Sequence, residues 1–145
     1  MAKSYHVGFA NRLINQLFRT MTQLGVGAPY RHVLTVRGRR TGRLYSTPVD
    51  VMDVDSVRYL VAGYGPSSWV GNARASGEVT LSRGHRQQRY RVHDAEGAEA
   101  VRVLRKYMAE IRVTRPYFDA APDAADGQVA EELPRHPVLR LTPTT

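Results

Sequence analysis

"VRGRRTGRLYSTPV", residues Val36 to Val49, is a turn set between two runs of alternating side chains. Gly38 and Gly42 bracket it, and four arginines (Arg37, Arg39, Arg40 and Arg43) crowd it. Upstream, His32–Val36 reads as a short strand. Downstream, Leu44 to Val54 reads as a second, with Tyr45, Thr47, Val49 and Val51 on one face. Pro48 has no N–H to give to a ladder, so this second strand is an edge, carries a bulge, or opens there. Like charges repel, and a hairpin turn needs none of these four. The density is either a solvated tip or a grip for an anion.

Working outward, Asp55-Ser56 is a turn and Val57–Ala62 a third strand. Two glycines and a proline make Gly63 to Ser68 a loop. Ser68 is placed to cap a short helix, "WVGNARAS", which Gly77 ends. Glu78–Arg83 and Gln87–His93 pair as a hairpin across Gly84-His85. Asp94 is expected to cap a helix running to about Ile111. Val101, Leu104 and Met108 give it an apolar stripe, with Tyr107 beside them. "PYFDAAPDAADG" is a loop with room for a turn of helix, and Val138–Leu141 is the last strand. Near the start, residues 9–24 carry Phe9, Leu13, Leu17, Met21 and Leu24 at helical spacing, and Gly25, Gly27 and Pro29 stop that helix. It reads as a helix on the core, or as one lying at a membrane surface. Six antiparallel strands with helices around them give an α+β chain built on a small β-barrel. Residues 1–145 are expected to form one domain, with the helix and a linker in 1–28 and the barrel in 29–145.

Composition narrows the chemistry. The 145 residues carry 21 Lys and Arg against 13 Asp and Glu, a formal charge of +8, which favours an anionic partner. The absence of cysteine removes disulfides, thiolate metal sites and a Cys nucleophile, and suits a reducing compartment. No run is long and apolar enough for a membrane span, and no signal peptide is expected at the N-terminus. A cytoplasmic protein is the expectation, with contact at the inner membrane face through residues 9–24 as the variant.

Known catalytic motifs are missing. There is no phosphate loop of the G-x-x-x-x-G-K-[ST] type, no dinucleotide fingerprint after a strand, and no G-x-S-x-G elbow. His6, His32, His85, His93 and His136 are scattered without the carboxylate spacing of a metal site, and read as surface or strand residues. Acidic residues at 94–99 and 119–132 read as supporting a helix start and solvating a loop. With so little acid–base machinery, chemistry carried by a bound cofactor fits the chain. Hydride transfer is the natural case. A nucleic-acid partner fits the charge, but neither an aromatic RNA-binding pattern nor a long basic stripe accompanies it, so none is expected.

Three segments complement one another: Arg39 to Val49, Val61 to Gly65, and Ser68 to Asn72. Guanidinium forks and a helix start suit an anion. Trp69 and Tyr64 are of the type that flanks a flat ring. Pro48 leaves peptide groups nearby free for a ligand.

In these segments the sequence resembles the deazaflavin-dependent nitroreductase family, whose members bind coenzyme F420. The features are "GRRTGRLYSTPV", "YLVAGYG" and "WVGNARASGEV", with a looser match in "HPVLRLTP". The resemblance implies a split β-barrel and a deazaflavin whose phosphate and oligoglutamate tail lie over the basic turn. It implies Arg39, Arg40 and Thr41 at the phosphate end, and Tyr45, Ser46, Thr47, Pro48 and Val49 along the cofactor. Val61, Ala62, Gly63 and Tyr64 would form the opposite wall, and Ser68, Trp69 and Asn72 the helix-start contacts. For the protonation step of such a reaction, a donor such as Tyr64 or Tyr107 is the expectation. Where the family pattern has basic residues, Tyr45 and Tyr64 stand here; Lys is replaced by Arg40, and Asn by Thr47. The implied activity is reduction of an electron-poor small molecule, of nitro, quinone or enone type, by a monomer or homodimer. The alternatives are a barrel that binds a deazaflavin, FMN or haem without turnover, and a basic barrel that binds nucleic acid.

Overall fold

The structure is a computed structural model, and it describes residues 29–144. The helix expected over residues 9–24 lies outside the described residues. In chain order the elements are β1 (Arg31–Arg37), β2 (Leu44–Val54), β3 (Val57–Val61), α1 (Ser68–Ser76), β4 (Glu78–Arg83), β5 (Arg86–Asp94), α2 (Gly97–Glu110), a 3-10 turn (Arg112–Tyr117), α3 (Asp126–Ala130) and β6 (Val138–Pro143). The six strands close into an antiparallel barrel in the order β1-β2-β3-β6-β5-β4. Closure leaves no long free edge to recruit another chain.

Side-chain alternation builds two cores from one sheet. Val49 and Val51 of β2, Leu60 of β3, Leu81 of β4, Tyr90 of β5, and Leu139 and Leu141 of β6 turn into the barrel. Their neighbours Met52, Val54, Tyr59, Val61 and Val138 turn outward. There they meet Ala100, Val101, Val103, Leu104, Tyr107 and Met108 of α2, with Phe118 and Val129 beyond. Both faces of the sheet are thus covered, which is why apolar residues fall at both parities of β2 past Pro48, Val49 and Val51 on one face and Met52 and Val54 on the other. Ala73 of α1, with half-buried Trp69 packed alongside, joins the interior cluster.

The β2–β3 turn is Asp55-Ser56, both residues left-handed (φ 52° and 66°), between paired Val54 and Val57. Left-handed turns of this kind match the twist of the flanking strands. Two expected caps fall elsewhere. Ser67, not Ser68, precedes α1, and its side chain makes no capping bond. Glu96, not Asp94, precedes α2. Asp94 instead ends β5 opposite Leu139 and forms an ion pair with Arg74 at 2.9 Å. Gly77 ends α1 as expected, left-handed at φ 75°.

Pro48 sits where the β2 ladder is one-sided. Its cross-strand partner is Val33 of β1. Pairing of β2 with β3 begins only at Asp50, opposite Val61. Among the described residues, the Leu44–Val49 half of β2 therefore pairs with β1 alone. A residue without an N–H is harmless on that open side.

Gly63, just past β3, carries no side chain for a plain reason. A Cβ there would overlap the Tyr107 hydroxyl of α2. Tyr107 is fully buried, so it has nowhere to retreat. Gly63→Ala is expected to destabilise the protein by about 1–3 kcal/mol, as overpacked cores do. A lowered denaturant midpoint at unchanged slope is the expected result, and an unchanged midpoint contradicts this packing.

Candidate functional site

A cleft of about 480 Å³ opens between the β1–β2 turn and the start of α1. Val36, Gly38, Arg39, Arg40, Thr41, Tyr45, Ser46 and Thr47 form one wall, and Ser67, Ser68, Trp69 and Asn72 the other. Its size is that of a small-molecule site. No acidic side chain lines it.

The turn is fixed by its own backbone. Gly38 N–H donates to the Arg43 carbonyl (2.7 Å) and Gly42 N–H to the Gly38 carbonyl (3.0 Å). The Arg37 guanidinium also donates to the Gly42 carbonyl at 2.7 Å. Gly38 is required by Tyr45, whose ring lies where a Cβ would be. The Tyr45 hydroxyl is 3.0 Å from Thr41 Oγ1, which in turn accepts the Arg43 N–H at 3.2 Å. Tyr45 thus braces the turn from which Arg40 projects.

The four arginines have different work. Arg37 closes the turn. Arg39 reaches across the cleft: its Nη1 donates to Asn72 Oδ1 at 2.7 Å and to the Ser68 carbonyl at 3.2 Å. Its backbone N–H donates to the same Asn72 oxygen at 3.0 Å. The guanidinium lies so close over Gly71 that a Cβ there would come within 2.9 Å of its Cζ. Arg40 and Arg43 are exposed, and their side chains make no hydrogen bond or ion pair among the described residues. Of these two, only Arg40 lines the cleft.

The other wall presents the first turn of α1, whose leading N–H groups have no acceptor within the helix. Together with the guanidinium of Arg40 they make the cleft attractive to anions. Trp69 adds an aromatic surface, and the one-sided half of β2 adds Ser46 and Thr47.

Nine residues expected at the site therefore do line one cleft: Arg39, Arg40, Thr41, Tyr45, Ser46, Thr47, Ser68, Trp69 and Asn72. Pro48 is half-buried beside them, and Val49 is sealed in the barrel interior. The supposed opposite wall is not one. Val61 faces α2 in the outer core, and Ala62 and Gly63 are buried. Ala62 N–H is tied to the Pro137 carbonyl at 3.0 Å, so the β3 end is paired. Tyr64 is partly exposed, does not line the cleft, and meets the ring of Tyr117 edge-on at 5.2 Å. The left-handed Gly65 (φ 100°) and its N–H to the Ala62 carbonyl (3.1 Å) set that direction.

Tyr107 is not a group that can reach a substrate. It is fully buried, and its hydroxyl donates to Asp50 Oδ2 at 2.8 Å. Burial first, then the charge of Asp50, pushes its pKa well up, so the hydroxyl keeps its proton. Arg31 Nε holds the other Asp50 oxygen at 3.2 Å. This trio pins β2, α2 and the start of β1. Glu132, expected to solvate a loop, and His136, expected on the surface or in a strand, are instead buried polar groups beside the outer core. Glu132 accepts the Asp119 and Ala120 N–H groups at 2.7 and 2.8 Å. The four-residue spacing of Glu132 and His136 was the available signal.

A closed barrel with an acid-free, arginine-bearing cleft at the mouth of a helix defines a small cofactor-binding barrel. The sequence profile described as F420H(2)-dependent quinone reductase matches residues 11–121, and the chain belongs to that family. It is accordingly an F420-dependent reductase, and coenzyme F420 is its cofactor. No curated protein matches the sequence significantly. Among solved structures, one described as a domain-swapped dimer superposes with a TM-score of 0.60 at 16% identity, over 92% of this chain and 97% of that one. An F420-H2 dependent reductase, FDR-A, gives 0.53 at 16% identity, over 79% of this chain and 95% of that one. The haem storage protein HutZ from Vibrio cholerae gives 0.55 at 9% identity, over 90% and 87%. These likenesses concern the fold. Among the described residues, no helix is long and apolar enough to cross a membrane.

Asn72→Ala removes the acceptor that joins the two walls and leaves the Arg39 N–H without a partner. The expected cost is about 1–3 kcal/mol of stability in the absence of cofactor. Chemical denaturation measures it, and a midpoint equal to that of the unaltered protein contradicts the latch.

Proposed function

We propose that this cleft holds coenzyme F420 and that the enzyme passes a hydride from the reduced cofactor to an electron-poor small molecule. Quinones are the acceptor class the family description favours; nitro compounds and enones share the needed electron deficiency. The observation that carries the reading is Arg40: a cation without an ion-pair partner among the described residues, in a cleft that holds no carboxylate. Such a group suits a ligand with phosphate and carboxylate oxygens.

Bound and reduced, coenzyme F420 supplies the hydride. The chain's residues bind and orient it. Arg40, Thr41 and the leading N–H groups of α1 take the anionic end. Arg39 contributes charge, but its first task is to hold Asn72 and the helix in register with the turn. Trp69 and the Tyr45–Thr47 strand present apolar and peptide surface to the flat ring. Ser46 Oγ is within 3.0 Å of Thr35 Oγ1, which keeps this part of β2 in place on β1. Holding reactants in one geometry accounts for roughly 7–11 kcal/mol in well-aligned reactions, so a chain without an obvious acid–base pair suffices. Tyr107 supports the loop before α1 from beneath, its hydroxyl lying against Gly63.

Titration of the purified protein with F420, followed by its fluorescence, tests the reading. Saturable binding is expected, and Arg40→Ala should weaken it about 10- to 100-fold, the loss of one charged contact worth roughly 1.5–3 kcal/mol. Its melting temperature should not change, because an exposed unpaired charge stabilises little. Equal affinity in the two proteins would place the anionic end elsewhere.

A further inference from the structure

Asn72 lines the cleft with only 7% of its surface exposed. Its carboxamide has two unlike ends. Oδ1 accepts two N–H groups of Arg39, the backbone one at 3.0 Å and Nη1 at 2.7 Å. An NH2 group can accept neither, so these two donors hold the amide in one orientation. Nδ2, which only donates, makes no hydrogen bond among the described residues. It is not sealed inside the protein either, because no enclosed side-chain polar atom among these residues lacks a partner. Nδ2 therefore opens to the cleft. Trp69 stands three residues earlier, on the same face of α1, and lines the same cleft. Its indole N–H, again a donor only, also makes no hydrogen bond among the described residues.

We propose that Asn72 is a specificity-determining residue whose amide, locked by Arg39, donates from Nδ2 to an acceptor oxygen of the cofactor, a contact that rests on the cleft holding coenzyme F420. Arg39 is then a positioning residue. Its Nη1 and its backbone N–H are spent on Asn72, and Nη1 also reaches the Ser68 carbonyl at 3.2 Å. Its charge aims a neutral donor at the ligand, and Arg40 is left to meet the anion. The ligand atom opposite Nδ2 must carry a lone pair: a phosphate, carboxylate or ring carbonyl oxygen. A ligand N–H in that place would set two donors face to face. A site built to pair with one polarity rejects the other, because its own group is then left unmet. A quinone acceptor also carries carbonyl oxygens, and experiment separates the two sources.

Asn72→Asp separates the contact from the latch. One carboxylate oxygen still accepts both Arg39 donors, now with the help of charge. The other puts an acceptor where the NH2 stood. The variant should melt at or above the temperature of the unaltered protein, yet bind F420 about 100-fold more weakly in a fluorescence titration. The loss should persist between about 0.05 and 0.5 M salt, a range that screens charges acting at a distance but not a lost contact. Unchanged affinity, or a loss that vanishes at high salt, overturns the proposal and leaves Asn72 as a latch alone. Proton–nitrogen NMR of the unaltered full chain decides the matter if the variant does not fold. Adding F420 should move one proton of the Asn72 NH2 pair downfield and slow its exchange with water. Adding a quinone alone should leave the pair in place. A pair that F420 leaves unmoved, or that moves only with the quinone, overturns the proposal. Absence of F420 binding to the unaltered protein would refute the cleft assignment itself, an outcome separate from an unmoved Asn72 amide in a protein that binds the cofactor.

Discussion

One amide oxygen, Asn72 Oδ1, joins the two walls of the cleft. It accepts a backbone N–H and a guanidinium N–H from the same residue, Arg39, at 3.0 and 2.7 Å. The contact spans from the β1–β2 turn to the first turns of α1, and the same guanidinium also reaches the Ser68 carbonyl at 3.2 Å. It requires a short, buried acceptor on the helix and a helix surface bare enough to admit a guanidinium, which Gly71 provides. With Arg39 committed to this bond, the adjacent Arg40 is left as the cation that the cleft can offer a ligand. The mutual repulsion of the turn's arginines is relieved in part because Arg37 and Arg39 each spend their charge on carbonyl or amide oxygens.

The same logic organises the other side of the barrel. α2 covers the outer face of β2, β3 and β6, and three polar groups are buried under it or beside it at known partners. Asp50 is held by Tyr107 and Arg31, Glu132 by two backbone N–H groups and Arg135, and His136 by two carbonyls. No buried side-chain polar atom among the described residues lacks a partner. Such networks cost stability when partly satisfied and fix a unique geometry when complete. Two of them converge on Ala62-Gly63, the point where the chain leaves the barrel for the loop and helix of the cleft.

Much of this was legible in the sequence because it is local. The Gly38–Gly42 turn, the limits of β2, the left-handed stop at Gly77 and the Asp55-Ser56 hairpin each follow from residue types a few positions apart. Nine of the cleft's twelve lining residues were legible too, partly through resemblance and partly because a basic turn, a one-sided strand and a helix start are all visible as patterns. What failed was long-range. Asp94 looks like a cap, but β6 and Arg74 draw it into a strand. Val61 to Tyr64 look like a wall, but pairing of β3 on both sides and the turn at Gly65 send them to the core and to Tyr117. Tyr107 looks like a proton donor, Glu132 like a loop-solvating carboxylate and His136 like a surface or strand histidine, since nothing nearby in sequence shows the carbonyls and carboxylates that they meet only after folding.

The central claim is that the cleft between the arginine turn and α1 holds the cofactor by its anionic end. A crystal structure of the protein with coenzyme F420 tests it most directly. The account predicts phosphate oxygens within hydrogen-bond reach of Arg40 and the ring beside Trp69, with the Arg39–Asn72 bond intact. A cofactor bound away from this cleft, or Arg40 facing bulk solvent in the complex, would contradict it.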